Sequence, residues 1–459
     1  MLPESVRTYL ATHRQAHLAR LFELLRFRSV ANEPGTPDQC LLCAEWLAEH
    51  LGTLGLSAEV VPTSGRPAVL AAAHVDGRAP TVLVYGHYDV QPPDPLEAWE
   101  SDPFEPVVRD GCIYARGADD NKGQLFAHLM AIEAWRQAGG GLPVNLRMFF
   151  EGEEEIGSPT LEPFIAEHAD RLSADAAVIS DSEFFAPGLP SITYALRGLA
   201  YVEVTLTGAA SDVHSGTHGG ALANPNNALA RLVAAMHDAD GRVTIPGFYD
   251  DVQPLTDAER DTWRQLPFDE AEYAAGLGAG ALAGGEAGYG VLERRWARPT
   301  LDCNGIFGGY TGPGAKTIIP AEAHAKISMR LVPSQDPAKV AAGFRQFVAD
   351  NAPPGMTARV DEYAAARPVL LKTDTPAMAA GRAALGEAFG AEAALIRCGA
   401  SVPVTELVQR ILGLDAVLMG FGLPDDNLHA PNERFPLDQL WRGSIAAAAF
   451  LANIRAAGG

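Results

Sequence analysis

The run Pro80–Val90, PTVLVYGHYDV, is apolar on consecutive positions until it ends in His87 and Asp89. Such a run has no helical period, is rich in valine, and is short, which predicts a strand buried on both faces of a sheet. A helix is predicted over about 122–138. VNLRMFFEGEEE (144–155) and DAAVISDSEF (175–184) then read as two further strands. Alternating β and α elements imply an α/β domain with a mostly parallel sheet and helices on both faces.

The rhythm breaks after Ala195. LRGLAYVEVTLTG (196–208) alternates apolar and polar residues, a helix is expected over about 224–237, and EAHAKISMRLV (322–332) alternates again. A helix over about 336–350 and the strand-like TARVDEY (357–363) complete a block that reads as α+β, with helices on one face of an antiparallel sheet. Beyond about 366 the first rhythm returns, with a helix over 377–389, the strand DAVLMGFG (415–422) and a final helix in WRGSIAAAAFLANI (441–454). The expected organisation is therefore a catalytic domain in two parts, 1–195 and 366–459, interrupted by an inserted domain at 196–365. The Gly-rich stretch 276–290, GLGAGALAGGEAGYG, reads as a loop and not a phosphate-binding one, since no GK[ST] follows it.

Composition narrows the possible partners. The chain has 459 residues, 47% of them hydrophobic, enough for two cores and too apolar for disorder. Asp and Glu number 57 against 35 Lys and Arg, a net charge of −22 that argues against nucleic acid or an anionic membrane as partner. No apolar run reaches membrane-spanning length, and residues 1–25 alternate apolar and charged positions at helical spacing, unlike a secretory signal. Five cysteines, an odd and scattered set, fit a reducing cytoplasm. Cys40 and Cys43 form a CxxC inside QCLLCAEWLAEHLGTLG (39–55), where that spacing also makes one buried helical stripe; with no second CxxC, packing is the expected role.

The chemistry is expected at the carboxyl ends of the parallel strands, where open α/β sheets bind ligands. There stand His87 and Asp89 in GHYDV, Asp119 and Asp120 in YARGADDNKG, Glu153, Glu154 and Glu155 in EGEEEIGS, Asp181 in ISDSE and His429 in NLHAPNE. Each alone is an ordinary surface residue. Gathered at one sheet edge, such carboxylates stay ionised only if a cation compensates them, and a mixed His and carboxylate set points to zinc or another first-row divalent ion.

These motifs in this order, with DVHSGTHGG (212–220), SMRLVP (328–333) and GASVPVT (399–405), resemble the two-metal aminoacylase/carnosinase/succinyl-diaminopimelate desuccinylase peptidases along essentially the whole chain. The run from Trp296 to Pro333 is most similar to the dipeptidase branch. The resemblance implies that His87 and Asp181 hold one metal, Glu155 and His429 the other, and Asp120 bridges both. It makes Glu154 the general base and Asp89 the residue that orients His87. It also implies a cis peptide after Asp120. Asp119 departs from the family pattern, which usually has a small or uncharged residue there. His214 corresponds to a histidine that reaches from the inserted domain into the site of a second subunit, so a homodimer is implied; His218 has no counterpart role. Arg330 and Ser401 correspond to groups that bind the substrate carboxylate.

The function so implied is amide hydrolysis of a dipeptide or similar small substrate with a free carboxylate, using two divalent ions, zinc first and manganese or cobalt next. Deacylation of an N-acyl amino acid, or desuccinylation, is the alternative within the class. An inactive metal-bound scaffold is the alternative outside it, and retention of Glu154 speaks against that reading.

Overall fold

The computed structural model describes residues 1–33, 37–400 and 402–457, and the chain divides into two compact units. The first comprises Met1–Tyr194, Leu371–Ile396 and Val402–Gly459. The second comprises Ala195–Leu370 and a short return segment beginning at Arg397.

In the first unit, Thr81–His87 lies at the middle of a large sheet, parallel to Asn145–Glu151 on one side and to Ala176–Ile179 on the other. Asp415–Leu418 continues the parallel set next to Ala176–Ile179. The apolar run Pro80–Val90 is buried as expected, from Val82 to Val90. Lys122–Ala138 returns the chain between the first two parallel strands, and it is buried on nearly every side, from Lys122 through Trp135. The sheet is mostly parallel, as expected, and Ser57–Val61, Ala68–Ala73 and Ser191–Leu196 join it antiparallel on either side of the parallel set. A short connection joins Ser57–Val61 to Ala68–Ala73, whereas the parallel centre needs long crossovers.

The carboxyl ends of the four parallel strands therefore lead into residues 87–90, 151–155, 179–183 and 418–433. Every metal-ligand candidate except Asp120 lies in one of those loops. Asp120 precedes the Lys122–Ala138 helix.

The second unit is an antiparallel sheet in the order Thr300–Gly308, Glu322–Leu331, Gly198–Thr207, Thr357–Ala366. Its strands alternate as read: Ala323, Ala325, Ile327 and Met329 are buried with Val202, Val204 and Leu206, under Leu229 and Leu232 of one helix and Val340 and Phe344 of another. Those helices, Pro225–Ala234 and Pro337–Asn351, begin alike: the side chains of Asn224 and Asp336 accept backbone N–H groups of the first turn, and proline follows at the first helical position. The first helix is shorter than expected because His237 turns to pair with Val243. Residues 277–290 hold neither helix nor strand, while the short helices Asp257–Arg264, Glu270–Gly276 and Val291–Trp296 were not legible as elements.

Cys40 and Cys43 are fully buried in the helix Pro37–Thr53, and burial pushes the Cys40 thiol up to about 12, a packing environment. On the same helix His50 lies between Trp46 and Phe126, with ring centroids 5.0 and 6.1 Å away. Burial lowers its pKa from 6.5 to about 4. His50 is thus neutral in the fold, while an unfolded chain would protonate it below about 6.5. The stability this represents, about 3 kcal/mol, is present above pH 6.5 and is lost as pH falls towards 4. Replacing the imidazole by an apolar ring, His50→Phe, is expected to flatten unfolding free energy against pH in that window by close to one proton; an unchanged slope in denaturant titrations would contradict it.

Candidate metal centre

The site begins with the backbone. His87 ends the central strand fully buried, and its N–H donates to Asn121 Oδ1 at 3.3 Å. The Asp120–Asn121 peptide is cis, as the resemblance implies. Asn121 Nδ2 in turn donates to Ser180 O at 2.6 Å and to Asp181 Oδ1 at 3.2 Å, so one amide side chain ties two strand ends together.

Among the described residues, two groups of side chains place one ligand atom each within 4.8 Å of one another: His87, Asp120 and Asp181, and Asp120, Glu155 and His429. Asp120 belongs to both. Its Oδ1 lies 3.1 Å from His87 Nε2, and its Oδ2 lies 3.0 Å from His429 Nε2. His87 Nε2 is also 3.7 Å from Asp181 Oδ1, and His429 Nε2 is 3.3 Å from Glu155 Oε2. One carboxylate thus presents an oxygen to each group, and the donor set, imidazole nitrogen with carboxylate oxygen, suits a divalent first-row ion.

Charge in the cluster points the same way. Burial first, and then the Asp120 charge, push Glu155 up to about 7. Glu154 is likewise raised well above the carboxylate range, by burial and by Asp181, Asp120 and Glu155. Against its own burial, Asp120 is held low by hydrogen bonds to His429 and His87. His429, half exposed, is pushed up to about 10 by Asp120 and Glu155. The carboxyl groups raise one another's cost of ionisation and the two imidazoles, where positively charged, lower it, so the cluster is one in which positive charge is needed to keep the carboxylates ionised.

Asp89 faces two ways. Its carboxylate spans the next loop, accepting the backbone N–H of Glu154 at 3.2 Å and of Glu155 at 3.0 Å. His87 Nδ1 lies 3.1 Å from the Asp89 carbonyl oxygen and 3.4 Å from its Oδ1. Asp89 therefore faces His87 and also fixes the segment that carries Glu154. Asp119 is fully buried and accepts Gln124 Nε2 at 2.9 Å, and burial followed by the charge of Asp426 raises its carboxyl well above the usual carboxylate range.

In the second unit, His214 is exposed at the head of a short helix, and its Nδ1 accepts the Gly216 N–H at 2.9 Å. That bond leaves the ring proton on Nε2, a donor. Arg330 projects from the face of its strand opposite Met329 and Leu331, with no carboxylate in ion-pair distance among the described residues. Ser401 lies outside the described residues.

Three residues escaped the sequence reading. Gln91 donates to Glu155 Oε2 at 2.9 Å, and Asn121 does the same for Asp181; both stand one or two places from residues that were read, which is the only signal they give. Arg197, near Arg330, has its pKa lowered to about 10 by burial and by that neighbouring charge. A lone Arg in LRG carries no such signal.

Comparison with known proteins agrees with this geometry. The profile of Peptidase family M20/M25/M40 matches residues 83–453. The Beta-Ala-His dipeptidase of Homo sapiens is 34% identical over 391 residues, 84% of this chain and 76% of that one. The Cys-Gly metallodipeptidase DUG1 of Candida albicans is 30% identical over 459 residues, 95% of this chain and 93% of its own. A solved M20 family metallo-carboxypeptidase, Sso-CP2 from Sulfolobus solfataricus, superposes with a TM-score of 0.85 at 34% identity, covering 96% of this chain and 99% of that one. A parallel sheet with a two-group His and carboxylate cluster at its carboxyl edge, matched along most of its length by such relatives, makes the chain an enzyme of peptidase family M20/M25/M40, in its dipeptidase branch.

Proposed function

We propose that the protein is a two-metal dipeptidase that hydrolyses the amide bond of a dipeptide, or a similar small substrate with a free carboxylate. The observation that carries this reading is the Asp120 carboxylate, with one oxygen in each ligand group. The names of the relatives, which act on Beta-Ala-His and Cys-Gly, support a dipeptide as the substrate class.

His87 and Asp181 would hold one ion, Glu155 and His429 the other, with Asp120 shared. Zinc fits this donor set first, with manganese or cobalt next. When bound, two such ions lower the pKa of a nearby water and polarise the amide carbonyl. Glu154, largely buried beside the ligand groups and with its side chain uncommitted to any of them, takes the water proton and returns it to the departing amine. Asp89 keeps Glu154 in place through the two backbone amides it accepts. His214, with its proton on Nε2, donates to the oxyanion of the tetrahedral intermediate. Arg330 meets the substrate carboxylate with its planar fork, and Ser401 in the GASVP turn assists it. In this reading residues 196–365 form the lid, and a homodimer assembled through it carries each His214 into its partner's site. No helix among the described residues is long and apolar enough to cross a membrane, and a cytoplasmic enzyme suits an odd and scattered set of five cysteines.

A second reading has a specific support. The 34% identity to the metallo-carboxypeptidase suggests release of the last residue from longer peptides, which needs the same carboxylate recognition. A panel of dipeptides, longer peptides, and N-acetyl and N-succinyl amino acids separates these activities.

Glu154→Ala is expected to lower kcat on the preferred dipeptide by roughly 100 to 10,000 fold with metal content unchanged, the usual effect of losing a general base. Undiminished turnover would sink the mechanism. His214→Ala is expected to lower kcat by about 100 to 1000 fold, the usual loss for an oxyanion donor. Mixing the His214→Ala and Glu154→Ala proteins should restore partial activity by forming one intact site per mixed dimer; absence of rescue counts against a shared site.

A further inference from the structure

The loop that carries His429 is held in an unusual backbone. Asn427, His429 and Asn432, none of them glycine, sit at φ of 59°, 61° and 61°. The Asn432 side chain, bonded to backbone outside the loop, and a backbone bond within it keep it so. Asn432 Oδ1 accepts the Glu100 N–H at 2.9 Å, Asn432 Nδ2 donates to Ala98 O at 2.9 Å, and the Arg434 N–H returns to Asp426 O at 2.9 Å. Residues in left-handed conformations persist where the surroundings over-determine them, and such places cluster at functional sites.

The next residue, Glu433, is fully buried and points into the segment that leads to Asp120. Its Oε2 accepts Arg116 Nη1 and the Gly117 N–H, each at 2.9 Å. Its Oε1 accepts the N–H groups of Asp119 and Asp120, each at 3.0 Å. Its own carbonyl accepts the Ala115 N–H at 3.3 Å. Arg116, equally buried, is steadied by a bond to Pro92 O at 3.2 Å and by the Trp99 ring, so the pair is charge-balanced within the fold.

Resting on the metal reading above, we propose that Glu433 is a positioning residue that couples the two ligand groups: its carboxylate sets the backbone of Asp120, the ligand common to both, and its chain segment sets His429. Four donors converge on its two oxygens. Only a carboxylate, which accepts at both oxygens and donates at neither, satisfies them all. Glutamine has the same shape but would turn an NH₂ group against two N–H donors, so Glu433→Gln perturbs the coupling with little change in volume. Residues that orient metal ligands in this way typically carry a 10 to 100 fold effect on metal affinity or activity.

The test uses the full chain, stripped of metal and titrated with Co²⁺ alone against a chromophoric chelator. Glu433→Gln is expected to weaken Co²⁺ binding by roughly 10 to 100 fold and to alter the visible spectrum of the Co²⁺-loaded protein, with a native far-UV circular dichroism spectrum. At saturating metal, kcat should fall while the KM for the dipeptide stays within about twofold, the pattern of a displaced reacting group rather than of lost substrate binding. A folded variant with wild-type Co²⁺ affinity and spectrum overturns the proposal. If Glu433→Gln does not fold, Glu433→Asp, which keeps the charge but withdraws the carboxylate by one methylene, receives the same measurements; if neither folds, Glu433 serves the fold at large and the proposal fails. Wild-type protein that binds no Co²⁺, or Asp120→Ala that binds it undiminished, would instead show that the metal reading itself is wrong.

Discussion

Mutual repulsion among buried carboxyl groups is the constraint on which the rest of the structure depends. Asp120, Glu154, Glu155 and Asp181 are brought to one place by strand ends and the turns that follow them, with His87 and His429 between. Left to themselves, buried acids take up protons, as the rise of Glu155 to about 7 expresses. A site built to keep them ionised must contain positive charge, and the imidazole and carboxylate donors are of the kind that a divalent ion accepts. The fold meets the constraint by rigidity. Every candidate ligand sits on, or is tied to, the edge of the parallel sheet, and the polar side chains around them are satisfied by one another: Asn121 holds Asp181, Gln91 holds Glu155, Asp89 holds the Glu154 segment and Glu433 holds the Asp120 segment.

This division of labour separates the groups that meet a ligand from those that aim them. His87 reaches the cluster because a buried strand ends there; the Asp89 carbonyl and carboxylate facing Nδ1 then leave Nε2 directed at Asp120 and Asp181. His429 comes from the opposite direction, on a loop whose left-handed residues are pinned by Asn432 and Glu433. Two remote parts of the chain, residues 115–120 and 427–433, thus become one piece of scaffold through a single buried carboxylate.

Much of this was legible before the structure, for physical reasons. Strands buried on both faces announce themselves as apolar runs, so Val82–Tyr85 and Ala176–Ile179 were visible, and chemistry-bearing residues that follow them directly were visible with them. The edge strand Ser57–Val61 was not, because a short edge segment carries little periodicity, and neither was Ala68–Ala73, a short alanine-rich run that fits helix as well as strand. The roles of individual ligands came from family resemblance rather than from pattern, since a lone Asp181 or His429 has no signature. Asp119 was ambiguous because its fate depends on Gln124 and Asp426, far from it in sequence or on another turn. Glu433 was quoted in NLHAPNE and passed over: nothing about a glutamate in a polar loop says that it will be buried and accept four donors.

In the proposed function the His and carboxylate cluster holds two divalent ions joined by Asp120. Titrating metal-stripped protein with Zn²⁺ by calorimetry measures this most directly. Two tight equivalents per chain are predicted, with both sites weakened together by Asp120→Ala while Asp181→Ala and Glu155→Ala each weaken one. Binding of a single equivalent or none, or two equivalents untouched by Asp120→Ala, would contradict it.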